Sequence, residues 1–413
     1  MNRLFLTTLA VAAALTAAAA GDVSRIHGFK VDLEIEKTHR ELPFGNVAPE
    51  SRTIDLAGTY ASGIRQVFTN SDMTESVGTI SAAANNITVV ADPETPGGYI
   101  LKDFGKALFF NSANPGAVND IKATFDPQTG VLSIAPGQAL FARDFGSEFG
   151  VCDLIVMTID EETESFSTDV PVEFEYSLGC LNLKSPIIGF YAIVEDESSP
   201  TDYGLVGPNM IVDDMIAWIP NGEMSYVTLP GRFENSVPVF GVNYDGRCHI
   251  FNFANVDMFH AAEFEIRGNA VVSYGEEVAA AVTRYWPAQG MNLRDEYYLS
   301  AANVDDAYAP VGKGDHRYYL RGSVVADDAE EFAFELPACG LYNNEGSYWG
   351  VYDDVYVSYS RDVAGIDTPA DGAVADADAP VVYYNLQGVR VDNPQGGVFI
   401  RRQGTEVTKV LVK

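Results

Sequence analysis

Short runs of β-branched and aromatic residues, alternating with polar ones, recur along nearly the whole chain between Gly, Pro, Asn and Asp. Phe29–Glu36, Val170–Tyr176 and Glu331–Leu336 alternate strictly. A period of two puts every second side chain on one face, so these runs predict half-buried strands of antiparallel sheets. Helical spacing is scarce, and Val278–Tyr285 is its best short candidate. The pattern predicts an all-β fold.

The strand pattern also repeats. Ile87–Ala91, a Gly-Gly turn and Tyr99–Phe104 are matched by Val237–Val242, an Asp245-Gly246 turn and Cys248–Phe253. Each is a hairpin whose second strand ends in a polar residue followed by Phe. A loop then leads to Ile121–Phe125 or Ala262–Ile266, and a turn to Val131–Ile134 or Val271–Tyr274. A fourth match sets Leu178–Leu181 and Ile188–Tyr191 beside Ala338–Leu341 and Trp349–Tyr352. The expected architecture is two tandem antiparallel β-sandwich or barrel-like lobes related by an internal repeat, 21–195 and 196–361. Their boundary is expected in the acidic, Pro-containing loop Glu195–Asp202. Residues 362–380, rich in Ala, Asp, Gly and Pro, read as an acidic flexible linker, and 381–413 as a small C-terminal β module.

Residues 1–20 read as a signal peptide: Arg3, apolar Leu4–Leu15, then a small-residue end with Ala18 and Ala20 spaced for cleavage before Gly21. The apolar run is too short for a membrane span. Export from the cytoplasm is therefore expected.

At the other end, Tyr384-Asn385-Leu386-Gln387-Gly388 precedes Arg390, a Gly-Gly pair ending at Gly397 precedes Val398-Phe399-Ile400, and the last strand ends at Lys413. This ordered pattern resembles the C-terminal sorting domains of type IX secretion system cargo. The resemblance implies that Tyr384, Asn385, Leu386, Gly388, Arg390, Gly397 and Lys413 form a sorting motif. It also implies an outer-membrane translocon as partner, and a destination at the cell surface or outside the cell. It covers 381–413 alone and implies nothing about the body.

Charge separates the same two parts. The chain has 58 acids and 26 bases, a net of −32. Residues 381–413 hold five of the bases and two of the acids, so the tail is positive and the body carries all the excess acid. An acidic surface repels nucleic acid and anionic membranes, whose binding needs clustered cations. Neither nucleic-acid binding nor transmembrane insertion is expected.

Four cysteines in an exported chain permit two disulfides in three pairings. Cys152–Cys180 with Cys248–Cys339 keeps each bridge inside one lobe; four buried free thiols are the competing arrangement. No Cys-x-x-Cys zinc spacing, Gly-x-Ser-x-Gly elbow, His-Glu-x-x-His motif, phosphate loop or calcium loop occurs. Gly312-Lys313-Gly314 lacks the third glycine of a dinucleotide loop. No catalytic residue, metal or cofactor is expected. His249 and His260, with Asp257 between them, are expected to be ordinary loop histidines. The acid pairs at 161–162, 213–214, 305–306, 327–328 and 353–354 are expected in solvated loops, since adjacent strand residues face opposite ways.

Aromatics remain. Trp218, Trp286, Trp349, Tyr298 and Tyr319 all lie in the second lobe, and flat rings stack on sugars. The leading expectation is an exported, non-catalytic binding or adhesion module for a glycan or protein ligand. A self-assembling structural surface component and a secreted polysaccharide hydrolase, its site built from distant acids, are the alternatives.

Overall fold

The computed structural model describes Leu42 and residues 54–69, 75–110, 116–144, 151–160, 165–167, 170–193, 205–206, 210–328, 330–361, 381–384, 390–391, 397–403 and 406–412. The signal segment, Phe29–Glu36, the linker 362–380, and Asn385, Leu386, Gly388 and Lys413 lie outside these residues.

From Gly58 to Trp218 the chain forms β1 (Gly58–Thr69), β2 (Ser76–Ala83), β3 (Ile87–Ala91), β4 (Gly98–Lys102), the one-turn helix α1 (Phe104–Ala107), β5 (Ile121–Asp126), β6 (Val131–Ile134) and β7 (Ala139–Asp144). It continues with β8 (Val151–Asp160), β9 (Ser165–Ser167), β10 (Val172–Ser177), β11 (Cys180–Leu183), β12 (Ile187–Ile193), β13 (Leu205–Val206) and β14 (Met210–Trp218). A second series follows: β15 (Gly222–Leu229), β16 (Phe233–Tyr244), β17 (Arg247–Phe251), β18 (Ala261–Arg267), β19 (Ala270–Ser273) and β20 (Ala280–Trp286). It ends with β21 (Met291–Asn303), β22 (Ala309–Val311), β23 (Leu320–Asp327), β24 (Glu331–Leu336), β25 (Cys339–Tyr342) and β26 (Tyr348–Ser360). The fold is all-β.

The pairings close each series on itself. β1, β3, β4, β5, β6, β10, β11 and β14 form one antiparallel ring. β15, β16, β17, β18, β19, β23, β24 and β26 form the other. A closed ring leaves no strand edge unpaired, which removes the main aggregation hazard of sheets. Outside the first ring, β12 continues β11 along β14 and pairs with β8, which holds β7 and β9. Outside the second, β25 continues β24 along β26 and pairs with β21, which holds β20 and β22. With β2 and β3, consecutive along β1, set against the single long β16, the two series correspond strand for strand except for β13, which pairs with β12 and has no counterpart in the second.

The clearest sequence trace of this duplication has a backbone cause. Asp103 and Asn252, each just after the second hairpin strand, adopt left-handed conformations with φ of 61° and 62°. Asp and Asn tolerate that region best among non-glycine residues. The reversal drops Phe104 and Phe253 into the cores, where both are buried.

Three expectations change. Most of the helical candidate Val278–Tyr285 belongs instead to strand β20 (Ala280–Trp286), whose buried Ala280 and Val282 alternate with the partly exposed Ala281 and Thr283. The fourth repeat match is out of step: β11 is a hairpin partner of β10, whereas β25 pairs with β21 and β26. By pairing, β25 stands where β12 does, because Pro186 and Pro337 each interrupt one long strand lying along β14 or β26. Finally, β14 lies beyond Glu195–Asp202, yet its partners β1, β11 and β12 are first-series strands. The pairing therefore passes from one repeat to the next at Ile219–Asn221. There the Asn221 side chain extends the β15 ladder by bonding both the N–H and the C=O of Gly241 at 2.8 Å.

The two repeats share an apolar seam. Cys180, Ile216 and Trp218 pack with Phe240, Val242, Phe251, Met258, Phe259 and Ala261, and Leu42 joins them. The Trp218 indole stacks on Phe240 at 6.1 Å between ring centroids. Gly63 must be glycine here, because a Cβ on it would lie 2.5 Å from Cβ of Met258. At the seam's rim β2 pairs with β20 through Thr79–Tyr285 and Ile80–Arg284. The far ends of the pair differ. In the register positions of Phe240, Val242 and Phe251 the first repeat has Thr88, Val90 and Lys102. On β26, in the place of β14, the positions facing away from the core are Tyr356 and Ser358, both partly exposed. Apolar inner faces and polar outer faces are how stacked repeats stop stacking.

The expected Cys248–Cys339 bridge is absent: both are buried free thiols. They lie near different tyrosines, Cys248 near Tyr359 and Cys339 near Tyr342 and opposite Tyr352 on β26. Burial pushes the Cys248 thiol up to about 12 and raises that of Cys339 as well. Cys180 is buried on β11, and the side chain of its expected partner Cys152 lies outside the described residues.

The chain divides into two compact units, and the one from Leu56 to Gly365 holds both repeats. The C-terminal unit contains β27 (Val381–Tyr384), β28 (Arg390–Val391), β29 (Gly397–Gln403) and β30 (Glu406–Val412) in one sheet, ordered β28-β27-β29-β30. A small terminal β module was the expectation. Among the described residues no helix is long and apolar enough to cross a membrane.

Removing the largest side chain of the seam tests its importance. Trp218→Ala is expected to lower unfolding free energy by about 3–5 kcal/mol in a urea titration. A loss below about 1 kcal/mol would show that the seam contributes little.

Candidate functional site

The hairpin of β20 and β21 presents one wall of a surface groove. Its register sets Ala281 opposite Glu296 and Thr283 opposite Arg294, so these four side chains share a face. The opposite wall is the turn between β25 and β26, which brings Asn343, Asn344 and Glu345 to the same groove. Asn343 builds this turn: its Oδ1 accepts the N–H groups of Glu345 and Ser347 at 3.0 Å, and Gly346 supplies the positive φ of 87°. Asn344 and Glu345 are left exposed at the rim.

The groove is polar and its polar groups are held. Arg294 lies over the Tyr285 ring at 3.8 Å, a cation–π contact that flattens the guanidinium against the hairpin. The hydroxyl of Tyr297 donates to Asp295 at 3.2 Å, and that of Tyr298 to Glu296 at 3.2 Å. Burial, then the neighbouring Asp295, pushes the Tyr297 phenol up to about 12, so it remains a donor at every physiological pH. Trp349, 43% exposed, packs its ring 5.7 Å from that of Tyr297, and so is linked to the groove residue Asp295 through the Tyr297 hydroxyl without itself lining the groove. Three carboxylates, one guanidinium, exposed amides and a ring can bond sugar hydroxyls and cover a sugar face.

The five aromatic candidates have separate fates. Trp218 is 0% exposed in the seam and can reach no ligand, which corrects its place among the binding candidates. The alternating pattern around it gave no sign that both faces of β14 are covered. Trp286 is half-buried against Phe68, at 5.6 Å, on the rim between the repeats. Trp349 reaches the groove only through Tyr297 and Asp295, and Tyr298 joins it through Glu296 while its ring stacks on Tyr318 at 6.0 Å. Tyr319 lies elsewhere, beside Tyr274 and Lys313. Sequence reading passed over Arg294 and the Asn343–Ser347 turn. The turn carried a signal in Asn343-Asn344-Glu345-Gly346; Arg294 carried none.

The histidines are not brought together. His260 Nδ1 lies 2.6 Å from Asp257, whose carboxylate also accepts the N–H groups of Phe259 and Ala281. His249 is buried with Nδ1 3.4 Å from Glu263. Among the described residues no cluster of His, Cys, Asp and Glu is arranged to hold a metal. The Asp213-Asp214 pair, expected in a solvated loop, lies within β14 instead. A bulge between Arg65 and Gln66 turns Asp213 onto Arg65, which grips it through Nε and Nη2 at 2.8–3.0 Å. Burial raises the Asp213 pKa, and Arg65 opposes that rise.

No protein-family model matches this chain, and no curated protein is significantly similar to it in sequence.

Asp257 holds two backbone N–H groups beside Met258 and Phe259, which enter the seam. Asp257→Ala is expected to cost about 2–4 kcal/mol in thermal or urea unfolding, because those donors lose their acceptor. Unchanged stability would show that water replaces the carboxylate there.

Proposed function

We propose that this chain is an exported, non-catalytic surface protein that binds a glycan in the groove beside Trp349. The observation that carries the reading is the groove itself, a wall of held carboxylates, amides and one guanidinium, with the exposed Trp349 indole linked to it through Tyr297 and Asp295. Sugar recognition needs that combination of a flat apolar face and fixed hydrogen-bonding groups. The polar outer faces of the two repeats favour a binding role over self-assembly, because they offer no counterpart of the apolar seam to a second copy.

The reading is tested on the chain lacking 1–20 and 381–413, with an array of neutral oligosaccharides. Trp349→Ala is expected to weaken the best binder by roughly tenfold or more, equivalent to about 1.4 kcal/mol. Absence of any binder, or binding indifferent to Trp349→Ala, would overturn it. Chromatography of the incubated sugars reads out cleavage, and appearance of shortened products would favour the hydrolase alternative.

The C-terminal β module is proposed to serve as the sorting signal, with its positive charge and separate sheet supporting that reading. Deleting 381–413 is expected to leave the protein inside the outer membrane when cell fractions are probed. Unimpaired surface display of the truncated chain would rule the role out.

A further inference from the structure

The segment 312–321 is unusual for this chain in its charge. It contains Lys313, His316, Arg317 and Arg321 but only one acid, Asp315, in a protein of net charge −32. The segment runs into β23, beside the end of β19. β19 pairs with β23, with Ser273 opposite Leu320 and Val272 opposite Arg321, which places Tyr274 and Tyr319 side by side just past the ladder's end. Their rings are 5.8 Å apart and both are partly exposed. Cations surround them: the Lys313 ammonium lies 4.8 Å from the Tyr319 ring, the Arg267 guanidinium 5.6 Å from that of Tyr274, and Arg321 shares the Tyr319 face of β23. His316 lies on Tyr274 at 4.1 Å, with Nδ1 3.1 Å from Glu276, and Arg267 also bonds Glu265. Among the described residues Lys313 and Arg321 form no ion pair.

We infer that this face is a second binding site, separate from the Trp349 groove, for an anionic saccharide bearing carboxylate or sulfate. A general polyanion would be repelled by the rest of the body, so only a patch that concentrates cations can hold one. The tyrosine pair offers rings to a sugar face, and Lys313 and Arg321 offer unpaired charge to its anion. Lys313 must lift from the Tyr319 ring when a sugar takes its place, exchanging a cation–π contact for an ion pair.

The test uses affinity electrophoresis of the chain lacking 1–20 through polygalacturonate, dextran sulfate, neutral dextran or polyglutamate. Retardation is expected in polygalacturonate, dextran sulfate or both, which separates the carboxylate from the sulfate source, and not in neutral dextran. The double variant Lys313→Glu/Arg321→Glu is expected to weaken it roughly tenfold or more, while Lys313→Arg/Arg321→Lys retains it. Both variants are checked for unchanged thermal unfolding. No retardation by either charged polysaccharide, or none lost in the charge-reversed variant, overturns the inference. Equal retardation by polyglutamate would show that the patch takes acidic polypeptides rather than sugars.

Discussion

Burial of Trp218 and its neighbours between the two rings is the constraint on which the rest of the body depends. Each ring has its own core, as the buried set from Met224 and Phe264 to Phe334 and Val357 shows for the second. A large side chain such as Trp218, Phe240 or Phe251 contributes roughly 1.5–3 kcal/mol when removed from water, so the seam adds substantially to what each ring achieves alone. It also dictates local details that otherwise look arbitrary. Gly63 is needed because Met258 comes too close for any side chain, and Asp257 fixes the loop that delivers Met258 and Phe259.

The fold class and most of the duplication were legible in the sequence, for a physical reason. Half-buried strands write a period of two, and the left-handed residue before Phe104 or Phe253 favours Asp or Asn. Both signals are local. What remained hidden depends on partners distant in sequence. Nothing around Met210–Trp218 says that the strand closes the first ring by pairing back with β1, so the acidic loop before it looked like a boundary. Val278–Tyr285 carried apolar spacing ambiguous between helix and strand, and the hairpin with β21 decided it. The thiols show a further limit: composition permitted bridges, whereas the fold leaves Cys248 on β17 and Cys339 on β25 as buried free thiols.

The groove was less legible than the fold. Aromatic residues pointed to the second repeat without distinguishing Trp218, which serves packing, from Trp349, which stands at the surface. That difference is one of face and cover rather than of residue type. Arg294 is positioned by Tyr285 across the hairpin, and Glu296 by Tyr298 along one strand. Neither relation follows from composition. The two proposed sites also divide the second repeat's surface chemistry between them. One offers fixed carboxylates beside an indole, the other exposed cations beside two phenols.

The turn Asn343–Ser347 has a different counterpart in the first repeat. There the chain passes from β12 at Ile193 to β14 at Met210 through a much longer connection that includes β13. Pairing of β11 and β12 with β14 is preserved all the same. The architecture therefore tolerates wide variation at this one position while its ladders stay fixed. Duplicated units with such a position can diverge there at little cost: one copy keeps a minimal hairpin, and the other accommodates an insertion. For protein engineering, the turn at 343–347 is consequently a natural point at which to vary loop length, since the corresponding connection of the first repeat is longer while its ladders are kept.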